Sequence, residues 1–338
     1  MAIKKRNLES SLIQWIQEQS GLPLGVGNVY YVAATATWRQ FLLDNGFGPT
    51  VYSNPKTAYD ATTANQNDVV VVFPGSYDFG DVWTWANDYT HMIGVGPVGM
   101  TQHPVTLYHA LDSLEIHGQF KLTADGCLFK NLLFKHTGTD AKAVTNVLFS
   151  LCSNNTFDHV QFLNADDSVV CGATLRGVRF EGAANMIFRD CVFGGLDRTR
   201  TAVGTDLSLL EDSATSHPSS NLYFYDCAFM ATVTDSIDSL HLFVTTVDSL
   251  DLTGLVLFEN CSFITTNLTA ASNQEHAMDF DSESPALCLI KNPVLAGVRK
   301  FAVADDRVRV QAVPQILLDS DAKTFTVTTL GTVTVPLE

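Results

Sequence analysis

One six-residue pattern returns six times in this chain. It reads apolar, any, usually Asn or Asp, small or apolar, any, apolar. The copies are Phe129-Lys130-Asn131-Leu132-Leu133-Phe134, Phe157-Asp158-His159-Val160-Gln161-Phe162, Phe188-Arg189-Asp190-Cys191-Val192-Phe193, Phe224-Tyr225-Asp226-Cys227-Ala228-Phe229, Phe258-Glu259-Asn260-Cys261-Ser262-Phe263 and a degenerate Ile290-Lys291-Asn292-Pro293-Val294-Leu295. Their first residues are 28, 31, 36, 34 and 32 positions apart. That period is too long for a hairpin and too variable for a coiled coil. The intervening text is β-branched and punctuated by Gly, with no amphipathic run of helical length, which excludes a helical-repeat solenoid. Strand-like pieces ending in Gly precede three copies, at 113–118, 177–182 and 249–254.

Several short strands per period, separated by turns, predict an all-β parallel β-helix. Each period is one coil, and each strand hydrogen-bonds to its counterpart in the next coil. Alternation along a strand turns the repeated Phe and Cys positions inward, where they stack as ladders. Cys191, Cys227 and Cys261 share one repeat position, so they are expected as packed thiols rather than metal ligands. The Asn or Asp of each copy is expected at a bend, its side chain bonding turn backbone. With coils about 4.8 Å apart, roughly eight coils make a rod on the order of 40 Å long.

The segment Asn67-Asp68-Val69-Val70-Val71-Val72-Phe73-Pro74-Gly75-Ser76-Tyr77-Asp78 resembles the opening coils of the pectin-lyase-like family of right-handed parallel β-helices. Residues 57–64 match the short helix that caps the N-terminal end in that family, and His91-Met92-Ile93-Gly94-Val95-Gly96 resembles the following coil. The resemblance spans about residues 28 to 300 and implies a fold, not an activity, because this fold hosts lyases, hydrolases, esterases, adhesins and phage spikes.

The chain divides accordingly. Residues 1–27 hold a docking helix and a Gly/Pro linker, 28–66 a lead-in segment and N-terminal cap, 67–300 the β-helix, and 301–338 a β-strand C-terminal cap or oligomerisation element. The lead-in carries a strand at Val29-Tyr30-Tyr31-Val32 and a helix around Thr37 to Leu43. The first helix, Asn7 to Gln19, presents Leu8, Leu12, Trp15, Ile16 and Ile13 on one face behind a basic start. It either lies back on its own β-helix or serves as a docking peg.

With 20 basic against 36 acidic residues, the net charge of −16 argues against a nucleic-acid footprint and against adhesion to an anionic membrane. No apolar run is long enough for a membrane-spanning helix. The basic N-terminus lacks the apolar core of a secretion signal, and seven cysteines without a CxxC pair suggest free thiols in a reducing compartment.

Asp166 and Asp167 are the sharpest catalytic candidates. The resemblance implies such a role, since the related polygalacturonases place adjacent carboxylates on an outward turn as acid and base. Those enzymes also need a further upstream Asp, a Gly-His-Gly and an Arg-x-Lys, which this sequence lacks, so a solvated turn is the competing reading. Trp83 and Trp85 flank Thr84 on a strand-like stretch and share a face. Exposed there, they could stack on sugar rings or against a neighbouring subunit. His159 occupies the Asn/Asp position of its copy and is expected as a hydrogen-bonded turn residue. No cofactor is expected. The loop Asp279-Phe280-Asp281-Ser282-Glu283 leaves room for an incidental Ca²⁺.

Two functions fit. One is a bacteriophage virion structural protein, a spike, fibre or capsid decoration. Such a protein is made in the host cytoplasm, joined to other virion proteins through its N-terminus, able to bind host polysaccharide, and expected to be a homotrimer. The other is a polysaccharide lyase or glycoside hydrolase using outward carboxylates.

Overall fold

The computed structural model describes residues 27–48, 50–96, 103–109, 119–136, 145–163, 176–200, 204–208, 218–233, 241–245, 252–267, 274–279, 285–302, 308–311, 315–317, 324–329 and 331–336. A representative coil runs through strands Ala184–Arg189, Val192–Arg200 and Gly204–Ser208 before the chain returns one level up at Ser219–Tyr225. Each strand pairs in parallel with its counterpart in the next coil, giving three faces.

The registers place the repeat in vertical columns. On the first face, Tyr30, Val70, Met92, Phe129, Phe157, Phe188, Phe224, Phe258, Ile290 and Val310 lie one above another. On the second, Tyr77, Leu107, Phe134, Phe162, Phe193, Phe229, Phe263, Leu295 and Ile316 do the same. The described ladder therefore starts earlier and ends later than residues 67 and 300. The reason is local: Val29–Val32 already bonds the valine strand Val69–Val72, and Val308–Gln311 still bonds Leu287–Lys291.

Cysteines form their own column. Ala228 N–H donates to Cys191 C=O and Ser262 N–H to Cys227 C=O, both at 2.9 Å. All three thiols are buried, and the Cys227 thiol is raised well above its usual pKa by burial and by its neighbours Cys191 and Cys261. Cys127, Cys152 and Cys288 are buried as well.

The bend between first and second faces has one cause in every repeat. Asn131, His159, Asp190, Asp226, Asn260 and Asn292 all have φ between 47° and 57°. Only residues with small penalties in the left-handed region suit this corner, which is why Asn and Asp recur. Gly94 stands at the Asn131 position one coil below, where a Cβ would meet Asn131 O at 2.2 Å.

Two short helices lie at the N-terminal end of the described residues and a hairpin at the C-terminal end. Helix α1, Ala36–Asp44, is capped by Thr35, whose hydroxyl accepts from Trp38 N–H at 3.2 Å. Helix α2, Pro55–Tyr59, is shorter and earlier than residues 57–64 suggested, because Asn54 caps it and Pro55 opens its first turn. It buries Ala58 and Tyr59 in the first coils. At the other end Gln315–Leu317 is still parallel, whereas Thr324–Thr329 and Gly331–Pro336 form an antiparallel hairpin that lies against Val298–Ala302, the last strand of the third face. No described helix is long and apolar enough to cross a membrane.

Candidate functional site

The corner between first and second faces carries two adjacent columns of side chains, outward except at the buried Asn131. One column is Lys130, Asp158, Arg189, Tyr225, Glu259, Lys291 and Gln311, in register from coil to coil. The other is the left-handed column, in which His159 is the single imidazole.

Charged groups converge where these columns meet. Lys130 Nζ lies 2.7 Å from Asp158 Oδ2. Asp158 Oδ1 faces His159 Nδ1 in direct contact. Asp190, one coil above His159, completes a group in which one ligand-type atom from each of Asp158, His159 and Asp190 lies within 4.8 Å of the others. The Asp190 carboxyl is raised in pKa, first by burial, against the pull of His159, and further by Asp226 and Asp158. Close by, burial and the charge of His159 push His103 down to about 4. Among the described residues neither His103 ring nitrogen has a hydrogen-bond partner, and both are sealed from solvent. An imidazole between carboxylates, beside a lysine, can exchange protons, hold a cation or orient a polar ligand.

A second pair lies lower on the second face. His109 Nδ1 is 3.0 Å from Asp78 Oδ1. Burial raises the Asp78 carboxyl, but the Gly80 N–H at 2.8 Å and His109 outweigh it, so its pKa is lowered. His136 stands over His109 in register and is pushed down to about 4 by burial and by His109.

Other polar groups are structural. The Asp68 carboxylate, fully buried, accepts from Asn28 N–H at 2.7 Å and Thr63 N–H at 2.8 Å, tying the lead-in to the first coil. Asn155 spans two coils, donating to Ala124 O at 2.8 Å and accepting from Cys127 N–H at 2.7 Å. His91 accepts from Leu128 N–H at 3.1 Å, which requires a neutral ring, and burial pushes its pKa down to about 4.

The tryptophan assignment needs correction. Trp83 and Trp85 do share a face, but it is the inner one: they are 1% and 0% exposed, while Thr84 points out. The Trp85 ring stacks on Tyr59 at 4.2 Å, and Trp83 meets Phe120 edge-on at 5.4 Å. Alternation fixes which residues go together but not which side is inside. No sugar can reach either ring. Among the described residues the exposed aromatics are Tyr89 at 48% and, on α1, Trp38 at 51% and Phe41 at 52%, with Trp38 stacked on Phe73 at 6.3 Å.

Asp166, Asp167, Leu8, Leu12, Trp15 and Ile16 lie outside the described residues, as does most of the loop at 279–283. His159 stands at the left-handed corner that the repeat predicts for its position. The convergence of Asp158 and Asp190 on it has one signal in the sequence, an imidazole in a column otherwise filled by Asn and Asp.

No protein-family model matches the sequence, and no curated protein matches it. Solved structures do. Pectin methylesterase PemA from Erwinia chrysanthemi aligns over 90% of this chain and 93% of its own, at 10% identity and a TM-score of 0.53. A pectin methylesterase in complex with a hexasaccharide aligns over 88% and 93%, at 10% identity and a TM-score of 0.52. An alginate lyase from Paenibacillus sp. covers 90% and 94% at 14% identity, with a TM-score of only 0.45. At such identities the likeness is one of architecture. With its parallel ladders and inward Phe and Cys columns, this chain has the right-handed parallel β-helix fold of pectin-lyase-like proteins.

Proposed function

We propose that the chain is a structural protein of a bacteriophage particle, a spike, fibre or capsid decoration that holds a rigid β-helix away from the particle and meets host-surface glycan with its outer face. The observation that carries this reading is the ring column running through successive coils. Such a core gives a stiff support whose outer residues can vary without disturbing it. The acidic surface disfavours non-specific self-association. Residues 1–27, with the apolar set Leu8, Leu12, Trp15 and Ile16, are the proposed attachment to other virion proteins, and the C-terminal hairpin the proposed contact within a homotrimer. The test is to purify particles from the source of this sequence and look for the protein in them. A variant lacking residues 1–20 should remain folded and drop out of the particles. Recovery of the intact protein only in the soluble lysate would contradict the reading.

A second reading is a polysaccharide lyase or hydrolase. It is favoured by Asp158, His159 and Asp190 converging on an outer edge, with Asp166 and Asp167 as further candidates. Pectin methylesterases of the same architecture act on a polysaccharide. Under this reading, purified protein shortens an acidic or capsular polysaccharide, and Asp158→Asn or Asp167→Asn abolishes the activity. Retention of glycan without shortening favours the structural reading.

A further inference from the structure

We propose that Asp158, His159 and Asp190 bind one divalent transition-metal ion of the zinc class, clipping two successive coils together at the outer corner of the β-helix. The proposal is independent of the virion reading.

The placement comes from the backbone. Phe157 pairs in register with Phe188, so the residues that follow them, Asp158 and Arg189, then His159 and Asp190, rise from one edge. His159 and Asp190 share the left-handed conformation, at φ 53° and 50°, which throws both side chains off the same corner. Their ligand atoms and one from Asp158 lie within 4.8 Å. Zinc bonds of about 2.0–2.2 Å to nitrogen and oxygen need small side-chain rotations from there, not backbone movement. Lys130 holds Asp158 Oδ2 and leaves Oδ1 turned to His159.

The chemistry selects the ion class. One imidazole with two carboxylates suits zinc and its neighbours better than Ca²⁺ or Mg²⁺, which prefer all-oxygen shells. The fold does not require a histidine here, since Asn makes the same corner at 131, 260 and 292.

That last fact supplies clean variants. His159→Asn and Asp190→Asn each place a residue that the same column already uses. The full chain, stripped with a chelator, is titrated with Zn²⁺ by calorimetry and with Co²⁺ by visible absorption. The wild type should bind one equivalent of Zn²⁺ at micromolar concentration, show Co²⁺ bands of a low-coordinate nitrogen-containing site, and melt at a higher temperature with Zn²⁺. Each variant should bind at least about tenfold more weakly, lose the Co²⁺ bands, and melt as the stripped wild type does. His109→Ala, at the separate His–Asp pair, should bind as wild type. Failure of the wild type to bind Zn²⁺ at micromolar concentration, or unchanged binding in both column variants, would overturn the proposal.

Discussion

The ring of Phe224 lies 4.9 Å from that of Phe188 and is tilted only 9° from parallel to it. Phe258 continues the stack at 4.7 Å, and Phe193, Phe229 and Phe263 repeat it on the second face at 4.8 and 5.0 Å. The two columns meet edge-on, as at Phe188 and Phe193, 5.7 Å apart at 63°. Parallel in-register strands about 4.8 Å apart impose this spacing on identical side chains. Aromatic rings stack at that spacing, and their edges satisfy the preference for tilted contacts between columns.

Truncating the middle of a column should be costly. Phe224→Ala removes a fully buried ring and should destabilise by about 3–5 kcal/mol, with Phe224→Leu losing less. Denaturant titration measures both. A loss below about 1 kcal/mol for the alanine variant would mean that the column is not packed as described.

The corner column gives the opposite pattern. Asn260 has φ 56° and accepts a hydrogen bond from the Asn292 amide at 3.3 Å. Asn260→Gly keeps the left-handed backbone accessible and should change stability by no more than about 1 kcal/mol. Asn260→Ala should lose about 1–2 kcal/mol, and Asn260→Val more. Thermal melts rank the three. Alanine more stable than glycine would refute the role assigned to this backbone.

The thiols should be silent in the folded state. Cys127, Cys152, Cys191, Cys227, Cys261 and Cys288 are buried, and burial pushes the Cys127 thiol up to about 12. Reactivity needs an accessible thiolate. In a Cys171→Ser variant, a thiol reagent should label none of these six natively and all of them in denaturant. Rapid native labelling would contradict the inward cysteine column.

Acid should destabilise the fold before the carboxylates titrate. His91, beside Asp68, and His136, over His109, are neutral in the folded chain at pKa values of about 4, against an ordinary 6.5. The unfolded chain takes up these protons first as pH falls. Stability is therefore complete above about pH 6.5 and is lost progressively toward pH 4, by on the order of 3 kcal/mol per histidine at the low end. Melting temperatures between about pH 7 and pH 5 should fall steadily. A flat profile there would contradict the neutral buried rings.

Much of this architecture was legible in the sequence because a solenoid repeats its physics. Phe188, Phe224 and Phe258 recur since each coil presents the same inner volume. Asp190, Asp226 and Asn260 recur since each coil turns the same corner. What the sequence hid was orientation and convergence. Trp83 and Trp85 read as a shared face, yet only the three-sided closure of the coil makes that face internal. Residues 249–254 read like 177–182, but the structure puts Arg176–Glu181 on the third face and Leu252–Glu259 on the first. His159 shows its partner Asp158 in sequence, whereas Asp190 is brought to it only by stacking one period later.

The central claim is that successive repeats stand on one another at a constant rise. Lys130, Lys291 and Gln311 occupy one outward column, five and six coil steps apart along the registers through Asp158, Arg189, Tyr225 and Glu259. Spin labels at Lys130→Cys with Lys291→Cys, and at Lys130→Cys with Gln311→Cys, in the Cys171→Ser background, read that rise by pulsed electron paramagnetic resonance. The stacked chain predicts backbone separations of about 24 and 29 Å, each distribution narrow and the second longer by one coil. Equal separations, or broad distributions without that increment, would contradict it.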